Sequence, residues 1–130
     1  MKHTFGKQER LKSRKLIGKL FEEGSSVKKF PVRLVFLQTA HTSDFLVQAS
    51  FSVPKRNFKK AVDRNRIKRL MREVYRLEKN DLYERLNAPY ILMFTFIGRE
   101  DPAYIELKQK IQQVLTLFIQ EVKNETDAKT

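Results

Sequence analysis

The sequence predicts a single α+β domain in which three helices pack on a small sheet. Its 130 residues suit one domain, and 41% of them are hydrophobic, including ten Phe and four Tyr, so a core can form without a metal or a disulfide. The spacing of the apolar side chains switches between helical and strand periods in the order α, β, β, α, β, α. This order is typical of helices layered on one sheet.

The N-terminal segment is expected to be an arm followed by a short helix. Residues 1–12 are basic and are predicted to form a flexible extended arm. Ser13 can cap the helix that follows, because its hydroxyl can accept hydrogen bonds from backbone N–H groups two or three residues on. Gly24 suits the left-handed residue that often follows a helix end. The apolar face of this helix is formed by Leu16, Ile17, Leu20 and Phe21.

Three segments have the composition of strands. Pro31–Gln38 is rich in branched and aromatic residues, and apolar and polar residues alternate along Phe45–Val53. A turn at residues 40–44 separates these two segments, which predicts an antiparallel hairpin. Tyr90–Ile97 is almost wholly apolar, as expected of a strand in the centre of the sheet or covered on both sides.

Two longer helices complete the predicted domain. One is expected from Ala61 to Lys79, and the other from Asp101-Pro102, where Asp caps and Pro occupies the first turn, to Val122. Residues 124–130 are expected to be a disordered tail, so the domain spans residues 1–123. The apolar face of the first of these helices consists of Val62, Ile67, Leu70, Met71, Val74 and Leu77.

The positive charge of the chain is concentrated in two blocks. The formal net charge is +12, which favours a polyanionic partner. Residues 1–29 carry nine Lys and Arg against three Glu, and residues 55–72 carry nine against one Asp. Residues 73–130 carry eight basic and ten acidic residues. The excess therefore belongs to two segments and not to the chain as a whole.

Several functional classes lack their characteristic residues here. There is no Cys, which excludes disulfide scaffolds, zinc ribbons and thiol chemistry. His3 and His41 have no further ligand residues at metal-binding spacing, and the carboxylates form no recognisable nuclease constellation. No apolar run is long enough to span a membrane, and the N-terminus lacks the apolar region of a secretory signal. We expect a cytoplasmic protein with no membrane partner, no obligate protein partner, and no catalytic residue or metal site of its own.

The predicted helix at residues 61–79 carries a band of cations. Arg64, Lys68 and Arg72 stack along one line at i, i+4 and i+8. A neighbouring line holds Asn65, Arg69 and Arg76, and Arg66 lies at the edge of the apolar face. Solvated helices usually mix charges of both signs, whereas the nearby carboxylates here are Asp63 and Glu73 alone. A band that repels itself in this way indicates a nucleic-acid ligand.

The same segment carries a resemblance to a known family. The ten residues from Arg64 to Glu73, RNRIKRLMRE, strongly resemble the RNR motif of the protein subunit of bacterial ribonuclease P. Phe51 to Arg56, FSVPKR, resembles the strand and lysine segment that precedes this motif in the family, and Lys60-Ala61-Val62 leads into it in the same way. Arg10 to Arg14, RLKSR, resembles the start of the family's N-terminal helix. The resemblance covers residues 5–76.

The resemblance implies a fold and a function. The fold would be an α–β sandwich with three helices and a small, mostly antiparallel sheet, with one strand more than the three that the pattern shows. It would include a left-handed β-α-β crossover, against the general right-handed preference. In this family an RNA subunit performs the Mg²⁺-dependent hydrolysis that removes the 5′ leader of precursor tRNA. The protein binds that ribonuclease P RNA and contacts the leader.

The resemblance also implies the residues that meet each RNA. The loop from Pro54 to Phe58 and the aliphatic Ile17 depart from the usual family pattern, which has a small-residue and glycine loop and an aromatic one turn before Phe21. The residues implied to contact the catalytic RNA are Arg64, Asn65, Arg66, Lys68, Arg69 and Arg72. Those implied to line the cleft for the single-stranded leader are Phe21, Ser52, Lys55 and Arg56.

Three alternatives remain open from the sequence. A general RNA-binding or ribosome-associated protein could use the same basic helix without any processing role. A DNA-binding regulator is less consistent with the pattern, because the basic helix has no helix-turn-helix partner. A self-sufficient protein nuclease would require acid–base residues that the chain lacks.

Overall fold

The fold is a four-stranded sheet with helices on both faces. The structure, a computed structural model, describes residues 5–41 and 45–128, with side chains to residue 124. In chain order the elements are a 3₁₀ turn at Lys7–Glu9, then α1 (Arg14–Glu23), β1 (Ser25–Lys29), β2 (Val32–Gln38), β3 (Val47–Ser52), α2 (Ala61–Arg85), β4 (Tyr90–Phe96) and α3 (Tyr104–Ala128). No helix in these ranges is long and apolar enough to cross a membrane.

The strand order is β1-β2-β4-β3, which corrects the predicted hairpin. β4 lies between β2 and β3, pairing antiparallel with β2 and parallel with β3. The prediction was wrong because it paired strands that are neighbours in sequence, although the apolar β4 gains most by taking the centre. The hairpin partner of β2 is β1, the extra strand that the family resemblance implies. Its residues, SSVKK, are largely exposed on both faces and therefore give no alternating pattern.

Helix α2 connects the parallel strands β3 and β4, so these three elements form the β-α-β crossover. Two of the three strand pairings are antiparallel, which confirms the α–β sandwich with a mostly antiparallel sheet. The left hand of the crossover stays a prediction from the resemblance. Because the chain must return to the start of β4, α2 runs antiparallel to β3. Its N-terminus therefore lies at the Ser52 end of the sheet.

Each face of the sheet has its own apolar core. Helices α2 and α3 cover the inner face, where Leu34, Phe94 and Phe118 are fully buried. Helix α1 covers part of the outer face, where its Leu20 belongs to a second, smaller apolar cluster. That smaller cluster consists of Leu11, Leu20, Val35, Ile91 and Met93.

The helix boundaries differ from the predictions in three places. α2 continues beyond Lys79 to Arg85, and Val62 is 74% exposed, because it lies about 140° around the helix from the buried Ile67. Leu77 is also exposed. α3 begins at Tyr104 and not at Asp101, and it runs to Ala128. The predicted disordered tail is therefore helical over residues 124–128.

Helix α1 is capped as the sequence predicts, but its C-terminal glycine serves another purpose. The Ser13 hydroxyl accepts a hydrogen bond from the Leu16 amide at 3.2 Å. Gly24 has a φ of −73°, so the prediction of a left-handed residue was wrong. Instead, a Cβ at this position would lie 2.3 Å from the Leu20 carbonyl oxygen. Glycine is needed here because the helix end packs closely against its own last turn.

The N-terminal segment is packed, which corrects the predicted extended arm over residues 5–12. The Phe5 ring contacts the Tyr75 ring edge-on, with centroids 5.7 Å apart. The Leu11 amide donates to the Ala49 carbonyl at 2.9 Å, and Leu11 is buried. Glu9 is only 1% exposed. Residues 1–4 lie outside the described residues.

A buried ion pair holds this segment to α2. The Lys79 ammonium donates to Glu9 Oε1 at 2.6 Å, and the Tyr83 hydroxyl donates to Glu9 Oε2 at 2.8 Å. Lys79 is 3% exposed. Burial raises the pKa of Tyr83 and of the adjacent Tyr75, so both phenols stay neutral. The carboxylate therefore has an ammonium and a phenol as hydrogen-bond donors inside the protein.

We expect Glu9→Ala to lower the free energy of unfolding by about 3–5 kcal/mol, because it leaves the Lys79 ammonium buried without its partner. The double change Glu9→Leu with Lys79→Met should cost less than the single change, since it removes both charges. Urea unfolding measures both, with the exposed Glu22→Ala as control. If Glu9→Ala and Glu22→Ala have the same free energy of unfolding, the ion pair does not stabilise the fold.

Candidate RNA interface

The loop between β3 and α2 is ordered by a residue of the basic band. Arg64 Nη1 donates to the carbonyl oxygens of Phe58 and Lys59 at 2.8 and 2.9 Å. The Phe58 ring packs near the Phe96 ring, with centroids 5.9 Å apart. Arg64 therefore has a structural contact in addition to the RNA contact that the resemblance implies. Lys55 and Arg56, in the same loop, are exposed.

The solvent-facing side of α2 carries the central part of the band. Asn65 and Arg69 are exposed, and Lys68 and Arg72 are half-buried. Lys68 lies about 100° around the helix from the buried Ile67, and Arg72 lies at the same angle from the buried Met71. Long basic side chains in such positions cover apolar surface with their stems and keep their charges in water. The segment 64–72 places five cations in nine residues with no carboxylate among them.

Two arginines of the basic band on α2 have acidic partners. Arg66 forms an ion pair with Asp101, in the connection between β4 and α3. Both side chains are partly exposed, so the pair contributes little to stability. Arg76 pairs with Glu73 one turn earlier, and this hydrogen bond lowers the pKa of the Glu73 carboxyl. The sequence pattern identified Glu73, whereas Asp101 is far from the band in sequence and was missed.

A polar row crosses the outer face of the sheet at the end where α2 begins. Strand register aligns Lys28 with Arg33, Arg33 with Thr95, and Thr95 with Ser52. Directly paired residues project to the same face of a sheet. The Ser52 and Thr95 hydroxyl oxygens lie 2.9 Å apart and share a hydrogen bond. Lys28 and Arg33 are exposed, so this row, named here the outer row, has cations on one side and hydroxyls on the other.

Phe21 lies exposed on one flank of α1. It is 61% exposed, whereas its neighbour Leu20 is fully buried. On the other flank of α1, Lys19 donates to the Thr39 hydroxyl at the far end of the sheet. Phe21 is about 160° around the helix from Lys19, so it lies on the flank of α1 away from that far end. Ile17 packs against the outer core.

The arrangement brings most of the implied site residues to one end of the sheet. The loop with Lys55 and Arg56 follows Ser52 directly and leads into α2, so it joins the outer row to the band. Sequence reasoning missed Lys28 and Arg33 as candidates. Arg33 could have been identified from the sequence, because it is a cation in an apolar strand. Its side chain projects to the face of the sheet opposite to that of Val32 and Leu34.

The described residues contain no group of three His, Asp or Glu side chains that could hold a metal ion. The imidazole of His41 is engaged with the backbone, with Nε2 3.2 Å from the Leu46 carbonyl oxygen. The chemistry available at the interface is that of phosphate binding by cations and of base stacking on an exposed aromatic ring.

Comparison with known proteins agrees with this geometry. A family model described as Ribonuclease P matches residues 5–120. The ribonuclease P protein component of Chlorobium phaeobacteroides is 42% identical over 126 residues, covering 87% of this chain and 86% of that protein. The corresponding protein of Porphyromonas gingivalis is 36% identical over 118 residues, covering 86% and 85%.

The fold is shared with solved structures of lower sequence identity. The ribonuclease P protein of Staphylococcus aureus superposes with a TM-score of 0.69 at 19% identity, covering 84% of this chain and 94% of that one. The protein from Thermotoga maritima gives 0.66 at 21% identity, covering 82% and 94%. Since the family model spans most of the chain and the curated relatives match along most of their own length, the chain belongs to the ribonuclease P protein family, whose relatives here are ribonuclease P protein components.

Proposed function

We propose that this protein binds the RNA subunit of ribonuclease P through α2 and holds the 5′ leader of precursor tRNA across the outer face of its sheet. The observation that carries this proposal is the meeting of two basic surfaces at one end of the sheet. The band of α2 and the outer row are joined by the short loop that contains Lys55 and Arg56. One protein could therefore contact a folded RNA and a single strand side by side.

The band of α2 suits the backbone of a folded RNA. Guanidinium groups bind phosphates through paired hydrogen bonds and also stack on bases. Asn65, Lys68, Arg69 and Arg72 extend along about two turns of one rigid helix, so their spacing is fixed before the RNA binds. The ion pair with Asp101 keeps Arg66 at the edge of this surface.

The outer row suits a single strand. Four strands about 4.8 Å apart give the row a width of about 14 Å. Small hydroxyl side chains at Ser52 and Thr95 let a strand approach the sheet, while Arg33 and Lys28 on one side and Lys55 on the other can neutralise its phosphates. The exposed Phe21 ring offers a surface on which a base can stack. This combination is typical of sites that hold single-stranded nucleic acid.

The hydrolysis itself is assigned to the RNA subunit with Mg²⁺, as the family resemblance implies. The protein would supply substrate contacts to a cytoplasmic ribonucleoprotein that gives mature tRNA 5′ ends. A general RNA-binding protein would bind the band's ligand equally well but would not favour substrates that carry a leader. Leader dependence therefore separates the two functions.

The first prediction concerns where catalysis resides. Purified protein alone should leave precursor tRNA intact. With the genomic ribonuclease P RNA and Mg²⁺ it should yield the mature 5′ end, as measured by primer extension. Robust cleavage by nuclease-free protein without the RNA would contradict the assignment.

The second prediction concerns the band. Lys68→Gln, Arg69→Gln and Arg72→Gln together should weaken binding to the catalytic RNA and make the slope of log affinity against log salt shallower by about 2–3 units, because three phosphate contacts are lost. Arg64 is left intact because it orders the preceding loop. An α3 control, Lys108→Gln with Lys110→Gln and Lys123→Gln, removes the same charge. Equal slopes for the two triple variants would show that the band does not face RNA.

The third prediction concerns the leader. Phe21→Ala with Arg33→Gln should reduce holoenzyme affinity for precursor tRNA by about 1–3 kcal/mol, the value of one stacked base, and should leave mature tRNA binding unchanged. The measurement compares substrates with leaders of zero, two and eight nucleotides. Both side chains are exposed, so melting temperatures should change little. Tyr104→Ala with Lys108→Gln, an aromatic and a cation on α3, is the matched control. If the affinity of the double variant increases with leader length as much as that of the wild type, the leader binds elsewhere.

A further inference from the structure

A second basic groove lies on the opposite flank of α1, away from the outer row and the band. It has a volume of about 800 Å³ and is framed by the N-terminal segment, by α1 and by the end of β2. Five cations line it, and the side chains that the structure describes around it include no carboxylate. These five are Lys7, Arg10, Lys12, Lys15 and Lys19. None of the RNA contacts assigned above lies in this groove.

The N-terminus of α1 opens into the groove with charges of the unfavourable sign. A helix N-terminus carries a partial positive charge and is stabilised by acidic residues in its first turn. α1 has no acidic residue in its first turn. Lys12 precedes the Ser13 cap, and Arg14 and Lys15 follow it. These cations add to the positive potential of the helix end, which destabilises the free protein unless an anion binds there.

The groove is also preorganised. Leu11 is anchored to Ala49 by a backbone hydrogen bond, and Glu9 is buried against Lys79. Gln48 Nε2 donates to the Gln8 carbonyl at 3.1 Å across the groove floor. Lys7 and Lys12 therefore stand on a backbone that is fixed to the sheet. The cations of the groove are held at set positions, unlike those of a flexible basic tail.

The charges of the groove have no acidic partner among the residues that the structure describes. The ion pairs among the described residues involve Arg66, Arg76, Lys79 and Arg85. In the groove, Lys19 donates to the Thr39 hydroxyl, and Arg10 to the Phe5 carbonyl, which are neutral acceptors. A preorganised surface with five cations, none of them paired with a carboxylate in the described part of the chain, fits a polyanion with regularly spaced charges.

We propose that this groove is a second RNA-binding site, which takes a phosphate backbone through Lys7, Lys12, Lys15 and Lys19. The groove and the outer row lie on the two flanks of α1, so α1 stands between two RNA strands when both are occupied. The proposal extends the RNA-binding role proposed above and uses the same RNAs as probes. The backbone belongs either to the ribonuclease P RNA or to the precursor tRNA, and the chemistry that recognises it is the same in both.

The test replaces Lys12, Lys15 and Lys19 with Gln and compares this variant with the α3 control, which removes the same charge. All six lysines are on the surface, so circular dichroism should match the wild type, and the groove variant should melt no earlier than the wild type. Affinity is measured over a range of salt for the genomic ribonuclease P RNA alone, and in the holoenzyme for mature tRNA and for precursor tRNA with an eight-nucleotide leader. For the RNA whose backbone occupies the groove, the affinity of the groove variant should be about tenfold or more below that of the control. Its slope of log affinity against log salt should be shallower by about 2–3 units.

The arms identify the source of the backbone. A loss of affinity for the isolated ribonuclease P RNA assigns the groove to the catalytic RNA. A loss of affinity for mature tRNA assigns it to the tRNA body, and a loss seen only with precursor tRNA assigns it to the leader. Groove and control variants that bind alike in every arm, while wild type binds all three RNAs, would overturn the groove and leave the proposed function intact. Failure of the wild-type protein to bind any of them would instead overturn the proposed function.

A second measurement uses the absence of cysteine from the chain. Lys15→Cys carrying a tethered iron–EDTA group should cleave nearby RNA at a few defined positions, whereas the same group at Gln113→Cys on the exposed side of α3 should not. Cleavage from residue 15 that is no stronger than cleavage from residue 113 would overturn the proposal.

Discussion

The two-sided burial of β4 is the constraint on which the rest of the structure depends. Six of its seven residues are buried, so apolar layers are required above and below the centre of the sheet. Helices α2 and α3 form the layer on the inner face. On the outer face the single helix α1 is too short to cover the whole sheet. The part that it leaves open, at the Ser52 and Thr95 end, is where a second molecule can reach the strands.

The placement of cations follows from this layered arrangement. The cations that the structure describes in the two basic segments, residues 1–29 and 55–72, lie outside the core. Each segment includes a helix whose other side is apolar. In α2 the buried side holds Met71 and Val74, and in α1 it holds Leu20. The helices are therefore stabilised by packing in spite of their repelling charges, so the charges remain available to an external polyanion. Bound RNA would relieve that repulsion and stabilise the protein.

The sequence predicted the elements better than their partners. Local patterns were enough for the cap at Ser13, for the apolar strand β4 and for the existence of all three helices. The pairing of β4 with both β2 and β3 is non-local, so neighbouring segments gave a wrong hairpin. β1 was missed because an exposed edge strand need not alternate. Glu9 was assigned to an arm because its partner Lys79 is 70 positions away, and no periodicity connects them.

Without the family resemblance, which implied Phe21 and Ser52, the candidate site was predictable only where its residues are consecutive. The basic segment from Arg64 to Arg72 can be recognised from the sequence, because the helical period shows which charges share one face. The outer row consists of one residue from each of four strands, so it emerges only once the strand register is known. Arg64 shows the converse limit, since its contact with the Phe58 carbonyl is a matter of loop conformation that the charge pattern does not reveal.

The pairing of Glu9 with Lys79 bears on the order in which the protein matures on the ribosome. The N-terminal segment emerges first but has no buried site until α2 has been made, and the sheet has no centre until β4 follows at residues 90–96. Closing loops of this length is entropically unfavourable until the long-range contacts that reward it exist. Until residues 90–96 have been made, the nascent chain is therefore a basic polymer without its sheet centre. The surfaces that strand register builds, the outer row among them, can form only when the middle of the sheet is filled.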